Sequence, residues 1–290
     1  MRCSAQCFCV FCNESQQCIP VTVIQKAKID QDLSWVDKEF WHKSLVMRFT
    51  ADWCGYCPMM ATAIADAQAQ WPNKLEALSL HGSGGLQSNA SVQIESMYSI
   101  TSYPTGIVDG RVKVPNYTNI SYTTSQIIAA AKDTEENYET LTGASWNSSI
   151  SGNRAELNLT AYIKRAGSYK VTALLVEDNI VGYQSGEGNN YNHKDVVRAA
   201  FSNATGDAFT VSTDGQVQEF SYTLDLSNAW NRDNLKVVVY IQRKDANGAY
   251  FIDNSTSAKL GKEMPLMVIS DGVTGGMEGV EPGDDIPYNN

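Results

Sequence analysis

Near Gly143 the hydrophobic period of the chain changes, and this limits the fold more than any other feature. From about 35 to 142, β-rich runs alternate with stretches whose apolar residues recur at helical spacing. Beyond Gly143, apolar and polar residues alternate with the period of a strand that has one wet face. The first pattern is α/β, and the second is an all-β antiparallel sandwich. At 290 residues the chain also exceeds the length one core usually serves. Two domains are therefore expected, at 31–145 and 146–262, with a Cys-rich segment over 1–30 and an acidic, Gly-rich tail over 263–290.

In the first unit "SLVMRFT" (44–50) reads as a strand, and "PMMATAIADAQAQW" after it carries Met60, Ile64, Ala67 and Trp71 on one helical face. "LEALSLH", a short helix around "SVQIESMYSI", and "YPTGIVDGRVKV" with a turn at Asp109-Gly110 follow. A last helix is expected from a Thr124 cap to about Leu141. In the second unit "AELNLTAYIKR", "SYKVTALLVEDNIVGYQ", "QEFSYTLDL", "LKVVVYIQRK" and "AYFIDNS" read as strands, the last two joined at Asn247-Gly248. "HKDVVRAAF" reads as a helical interruption.

Chemistry concentrates where the first strand meets its helix, in "FTADWCGYCPMM". Two cysteines three apart at a helix start suit disulfide exchange, because the helix N-terminus favours a thiolate at Cys54 while Cys57, about one turn on, stays partly covered. Cys54 is then the exposed attacker and Cys57 the resolver. Half a zinc site and a static bridge share this spacing. A second ligand pair is absent, since His42, His81 and His193 stand apart; no metal and no cofactor is expected. "ITSYPT" supports exchange, because a cis Tyr103-Pro104 bond would turn a backbone edge toward the sulfurs.

Strand, W-C-x-x-C, helix, strand, helix, x-P-T, strand pair and closing helix resemble the thioredoxin fold over roughly residues 35 to 142. The resemblance implies a nucleophile at Cys54, a resolver at Cys57, and Trp53, Tyr103 and Pro104 beside an extended substrate backbone. Where thioredoxins place a buried Asp, six residues before the first cysteine, this chain has Arg48. Either Arg48 is a cation near the sulfurs that favours thiolate, or it pairs with a carboxylate such as Asp52 or Asp66. "LLVEDNIVGYQ" followed by "YNHKDVVRAAF", with Tyr191, His193, Val196 and Arg198, resembles the twenty-eight-kilodalton outer-membrane protein family of Bacteroides and its relatives. That resemblance implies a cell-envelope protein, often lipid-anchored. His193 and Arg198 themselves read as structural residues.

The formal net charge of −10 argues against nucleic acid and anionic lipid as partners. Five of the seven cysteines fall in the first eighteen residues, with Arg2 ahead of a short apolar run. This reads as the remnant of a signal peptide or anchor, with Cys12 as the lipid-bearing candidate. No later segment has the ~20 apolar residues of a transmembrane helix, so membrane association is expected to be peripheral or through a lipid. The leading expectation is a thiol-disulfide oxidoreductase of the periplasm or outer membrane, acting on disulfide- or dithiol-bearing envelope proteins, with the sandwich docking partners. The rival is a non-catalytic outer-membrane or surface binding protein whose Cys54–Cys57 pair is a structural disulfide.

Overall fold

A computed structural model describes residues 7–12, 18–24, 35–115 and 119–269. In chain order the elements are β1 (Cys7–Cys12), β2 (Cys18–Ile24), β3 (Ser44–Ala51), α1 (Cys57–Gln70), β4 (Leu75–Ser83), α2 (Asn89–Met97), β5 (Thr105–Val108), β6 (Val112–Val114) and α3 (Ile120–Asn137). Strands follow, with one short 3-10 turn at Arg232–Asn234: β7 (Thr142–Ser151), β8 (Arg154–Ile163), β9 (Gly167–Glu177), β10 (Ile180–Gln184), β11 (Gly188–His193), β12 (Val196–Ala200) and β13 (Asp207–Val211). The last are β14 (Gln216–Asp225), β15 (Leu235–Lys244), β16 (Tyr250–Lys259), β17 (Glu263–Met264) and β18 (Leu266–Ile269). An α/β thioredoxin domain is thus followed by a mostly antiparallel β-rich region.

β3 forms because Leu45, Met47 and Phe49 bury on one face while Val46 buries on the other, so the strand is covered on both sides. It pairs parallel to β4 and antiparallel to β5, which turns through Asp109-Gly110, both at positive φ, into β6. α1 and α3 cover the Val46 face through Met60, Ile64, Ala67, Ile127 and Ala131. α3 starts earlier than expected, because Asn119 accepts the Tyr122 N–H with its side chain and so caps the helix.

The sheet does not stop at the expected boundary. It runs β16-β15-β9-β12-β4-β3-β5-β6, with β13 also on β9. The joint is β12 beside β4, where Val196 pairs with Ser79 and the Ser79 N–H donates to Asp195 O at 2.7 Å. The far end of the sheet returns to β3: the Ser255 N–H donates to Lys43 O at 3.1 Å and the Ile252 N–H to Asp109 O at 2.9 Å. Leu174, Val176, Val197, Val238 and Ile252 of the later strands therefore share one core with Leu45, Met47, Phe49, Leu78 and α2. On the opposite face of β9 and β15, the sheet β14-β8-β7-β17 completes a sandwich through Trp146, Leu157, Leu159, Val171, Val237 and their neighbours.

Three expectations are corrected. "HKDVVRAAF" is the strand β12, not a helix. A register shift between Val197 and Ala199 breaks its alternation and buries adjacent residues, which imitates helical spacing. "SYKVTALLVEDNIVGYQ" is two strands, because Asn179 takes positive φ between β9 and β10. The tail beginning at 263 is not solvated over its first residues: β17 pairs with β7, and β18 pairs with β2 and buries Leu266 and Val268 against Trp35, Phe40 and Tyr162. The acidic remainder, 270–290, lies outside the described residues. At the N-terminus the backbone of β1 pairs with β2; the remainder of 1–34 also lies outside the described residues.

Candidate functional site

Cys54 and Cys57 form a disulfide, with Cα atoms 5.4 Å apart, where β3 gives way to α1. The turn is held by the Cys54 N–H donating to Ala51 O and the Cys57 N–H to Cys54 O, both at 3.2 Å. Pro58 sits in the first helical turn, where its missing N–H costs nothing. No acidic residue stands in that turn, so the positive end of the helix at the sulfurs is not neutralised.

The Tyr103–Pro104 bond is cis. The Tyr103 ring packs on Ala51, Cys54 and Cys57, and its hydroxyl donates to Glu95 Oε2 at 2.6 Å. Burial, then Glu95, holds this phenol above the usual range. Trp53 lies 5.7 Å from the Tyr103 ring, with its indole N–H on Ser83 Oγ. Trp53 and Tyr56 are 58% and 65% exposed, a wet aromatic rim beside the disulfide.

Cys54 itself is not exposed as expected; it is 4% accessible and Cys57 is fully buried. Tyr103 packs on both cysteines, and a segment 130 residues away in sequence bonds their loop. Gln184, at the end of β10 and itself buried, donates its side-chain amide to Cys54 O at 2.8 Å and to Ala51 O at 3.2 Å. The Ser185 N–H donates to Asp52 O at 2.7 Å. Gly186, at φ +89°, keeps the turn close: a Cβ there would stand 3.3 Å from Gly55 O. The β10–β11 hairpin thus clasps the cysteine loop. Its only trace in the sequence is a polar Gln ending the half-buried alternation Ile180, Gly182, Gln184.

Arg48 is 4% exposed and pairs with neither Asp52 nor Asp66. Its Nη2 donates to Ser79 Oγ at 2.7 Å, and Asp52 instead accepts the Gly85 N–H. His193 is buried, bonded to Tyr183 O and in edge-on ring contact with Tyr191 and His81. Arg198 reaches Glu177 at 3.3 Å and lies over Trp230. Both serve packing. Among the described residues no cluster of three or more His, Cys, Asp or Glu is placed to hold a metal, and no helix is long and apolar enough to cross a membrane.

Residues 91–263 match the family described as Outer membrane protein Omp28, and residues 21–133 match Thioredoxin. No curated protein matches the chain. Among solved structures, HBP35 of Porphyromonas gingivalis is 17% identical with a TM-score of 0.64, over 85% of this chain and 82% of that one. A protein from Agrobacterium tumefaciens is 18% identical with a TM-score of 0.50, over 78% of this chain and 97% of that one. At these identities the likeness is one of fold.

Proposed function

The chain belongs to the Omp28 family of outer membrane proteins, and from that premise we propose that it is a cell-envelope thiol-disulfide oxidoreductase using Cys54 and Cys57. The observation that carries the reading is the disulfide at an un-neutralised helix start, rimmed by Trp53, Tyr56 and Tyr103. A substrate thiolate attacks the Cys54 sulfur; the Cys54–Cys57 bond breaks and its electron pair leaves on Cys57, as thiolate. The substrate's second thiolate then attacks the mixed disulfide, leaving an oxidised substrate and the reduced pair. The reverse sequence reduces a substrate disulfide. The helix N-terminus stabilises thiolate at this position, and the aromatic rim offers apolar surface to a bound chain. Peripheral or lipid-anchored attachment at the periplasm or outer membrane fits the family.

One observation favours a second reading, a binding protein with a static bridge: Cys54 is only 4% exposed, in a loop bonded to the hairpin. Trapping separates the two. Cys57→Ala should accumulate mixed disulfides with envelope proteins on non-reducing electrophoresis of acid-quenched cells, while Cys54→Ala should not. Equal adducts from both variants, or none, would leave the static bridge.

A further inference from the structure

Between α1 and the turn joining β11 to β12 lies a cavity of ≈ 180 Å³, roughly the liquid volume of six waters. Arg48 lies in its lining. Buried arginines are almost always paired, yet among the described residues no carboxylate comes within 4 Å of this guanidinium. Its bonds go to Ser79 Oγ at 2.7 Å and, at 3.5 Å, to Thr50 Oγ1. Asp195 also lines the cavity, but its carboxylate is held by Lys236 at 2.5 Å. Two residues along β4 from Ser79, and so on the same face, His81 is fully buried with neither ring nitrogen partnered. Ala61, Ile64 and Ala65 of α1 supply an apolar wall, and the exposed Ala65 and Lys194 open the cavity to solvent.

We propose that this cavity binds a short-chain carboxylate, its head on the Arg48 guanidinium and its alkyl body along the Ala61–Ala65 face of α1. A planar guanidinium fits a carboxylate, and a buried cation without a counter-ion gains most from one. Lys194 is exposed at the mouth, so the only buried cation of the lining is Arg48, and with Asp195 in the same wall this favours a monoanion over a phosphate dianion. The small volume favours a free acid over a protein-borne side chain. The inference does not depend on redox activity at the cysteines.

Isothermal titration of the full chain with butyrate should show saturable binding, and neutral 1-butanol should show none. Arg48→Met should weaken butyrate binding by about tenfold or more, the loss of a charge-assisted hydrogen bond. Ala65→Phe fills the cavity from α1 and leaves Arg48 in place, so it should weaken binding as much and decides the matter if Arg48→Met fails to fold. Absence of saturable binding, unchanged affinity in the folded variants, or equal binding of butanol overturns the site. Tighter binding of inorganic phosphate overturns the carboxylate assignment, and tighter binding of a capped glutamate peptide overturns the free acid.

Discussion

Asp109 shows how much a single buried group can matter away from the cysteines. Its side chain accepts the Leu45 N–H at 2.7 Å, its second oxygen has no partner, and burial pushes its carboxyl up from 3.8 to about 7. Between about 4 and 7 the folded protein holds a proton that the unfolded chain has released, so this group's contribution to stability falls as pH rises through that window. The slope is at most about 1.4 kcal/mol per pH unit. Asp109→Asn should remove it, and the variant should resist urea better than the wild type at pH 8, with the two converging near pH 4. His42, held neutral by burial with its value near 4, acts in the opposite direction over an overlapping range. The Asp109 contribution is therefore read from the difference between the two urea profiles; parallel profiles would show that Asp109 is ionised in the folded protein. At this scale the sequence is uneven. Cys54, Cys57, Trp53 and Pro104 are legible because their motif is local. The sequence marks Asp109 as a turn residue, while its burial comes from packing.

Among the elements, the β10–β11 hairpin has most bearing on the chemistry, and it is the one the sequence hides best. Strand periodicity finds β10 but runs it into β9, since the turn at Asn179 leaves the apolar pattern nearly continuous. Nothing in "IVGYQ" indicates that Gln184 will meet the carbonyls of Ala51 and Cys54, because the partner is set by the sheet order and not by a neighbour in sequence. Gln184→Ala removes two hydrogen bonds worth about 1 kcal/mol each, so loop opening should become about tenfold more frequent or better. Reduction of the disulfide by dithiothreitol, followed by thiol alkylation and gel shift, should accelerate by a similar factor. Equal rates in the two proteins would mean that the hairpin packs on the loop without shielding it.

Across the whole molecule, two sequence units have become one sheet and one shared core. The change of period at Gly143 is real, since α3 ends before it and no α-helix follows it among the described residues, yet it does not mark a physical seam. Leu45, Met47, Phe49, Leu78 and Leu80 pack against strands beyond residue 170. At about 1.5–3 kcal/mol for each buried side chain, losing even half of that cover approaches the ~5–15 kcal/mol that holds a domain folded. Polar groups cross the boundary as well. The Glu76 carboxylate on β4 is buried against Lys43 at 2.7 Å, Lys236 at 3.1 Å and Ser257 at 2.5 Å, and the two lysines hold it well below the usual carboxylate range despite burial. Asp253 on β16 accepts the N–H groups of Leu141 and Thr142. A fragment of residues 31–145 should therefore lack cooperative unfolding, while the full chain should melt in one transition by circular dichroism and by tryptophan fluorescence, which samples Trp71 before the boundary and Trp146 after it. Glu76→Ala leaves a buried cluster uncompensated and should lower the stability seen by both probes together, by about 3–5 kcal/mol. A sharp transition in the fragment, or a Glu76→Ala loss confined to one probe, would show that the continuous sheet joins two units that fold separately. In that case the hairpin over the cysteines would act as a docked neighbour, free to leave the disulfide while the thioredoxin-like half stays folded.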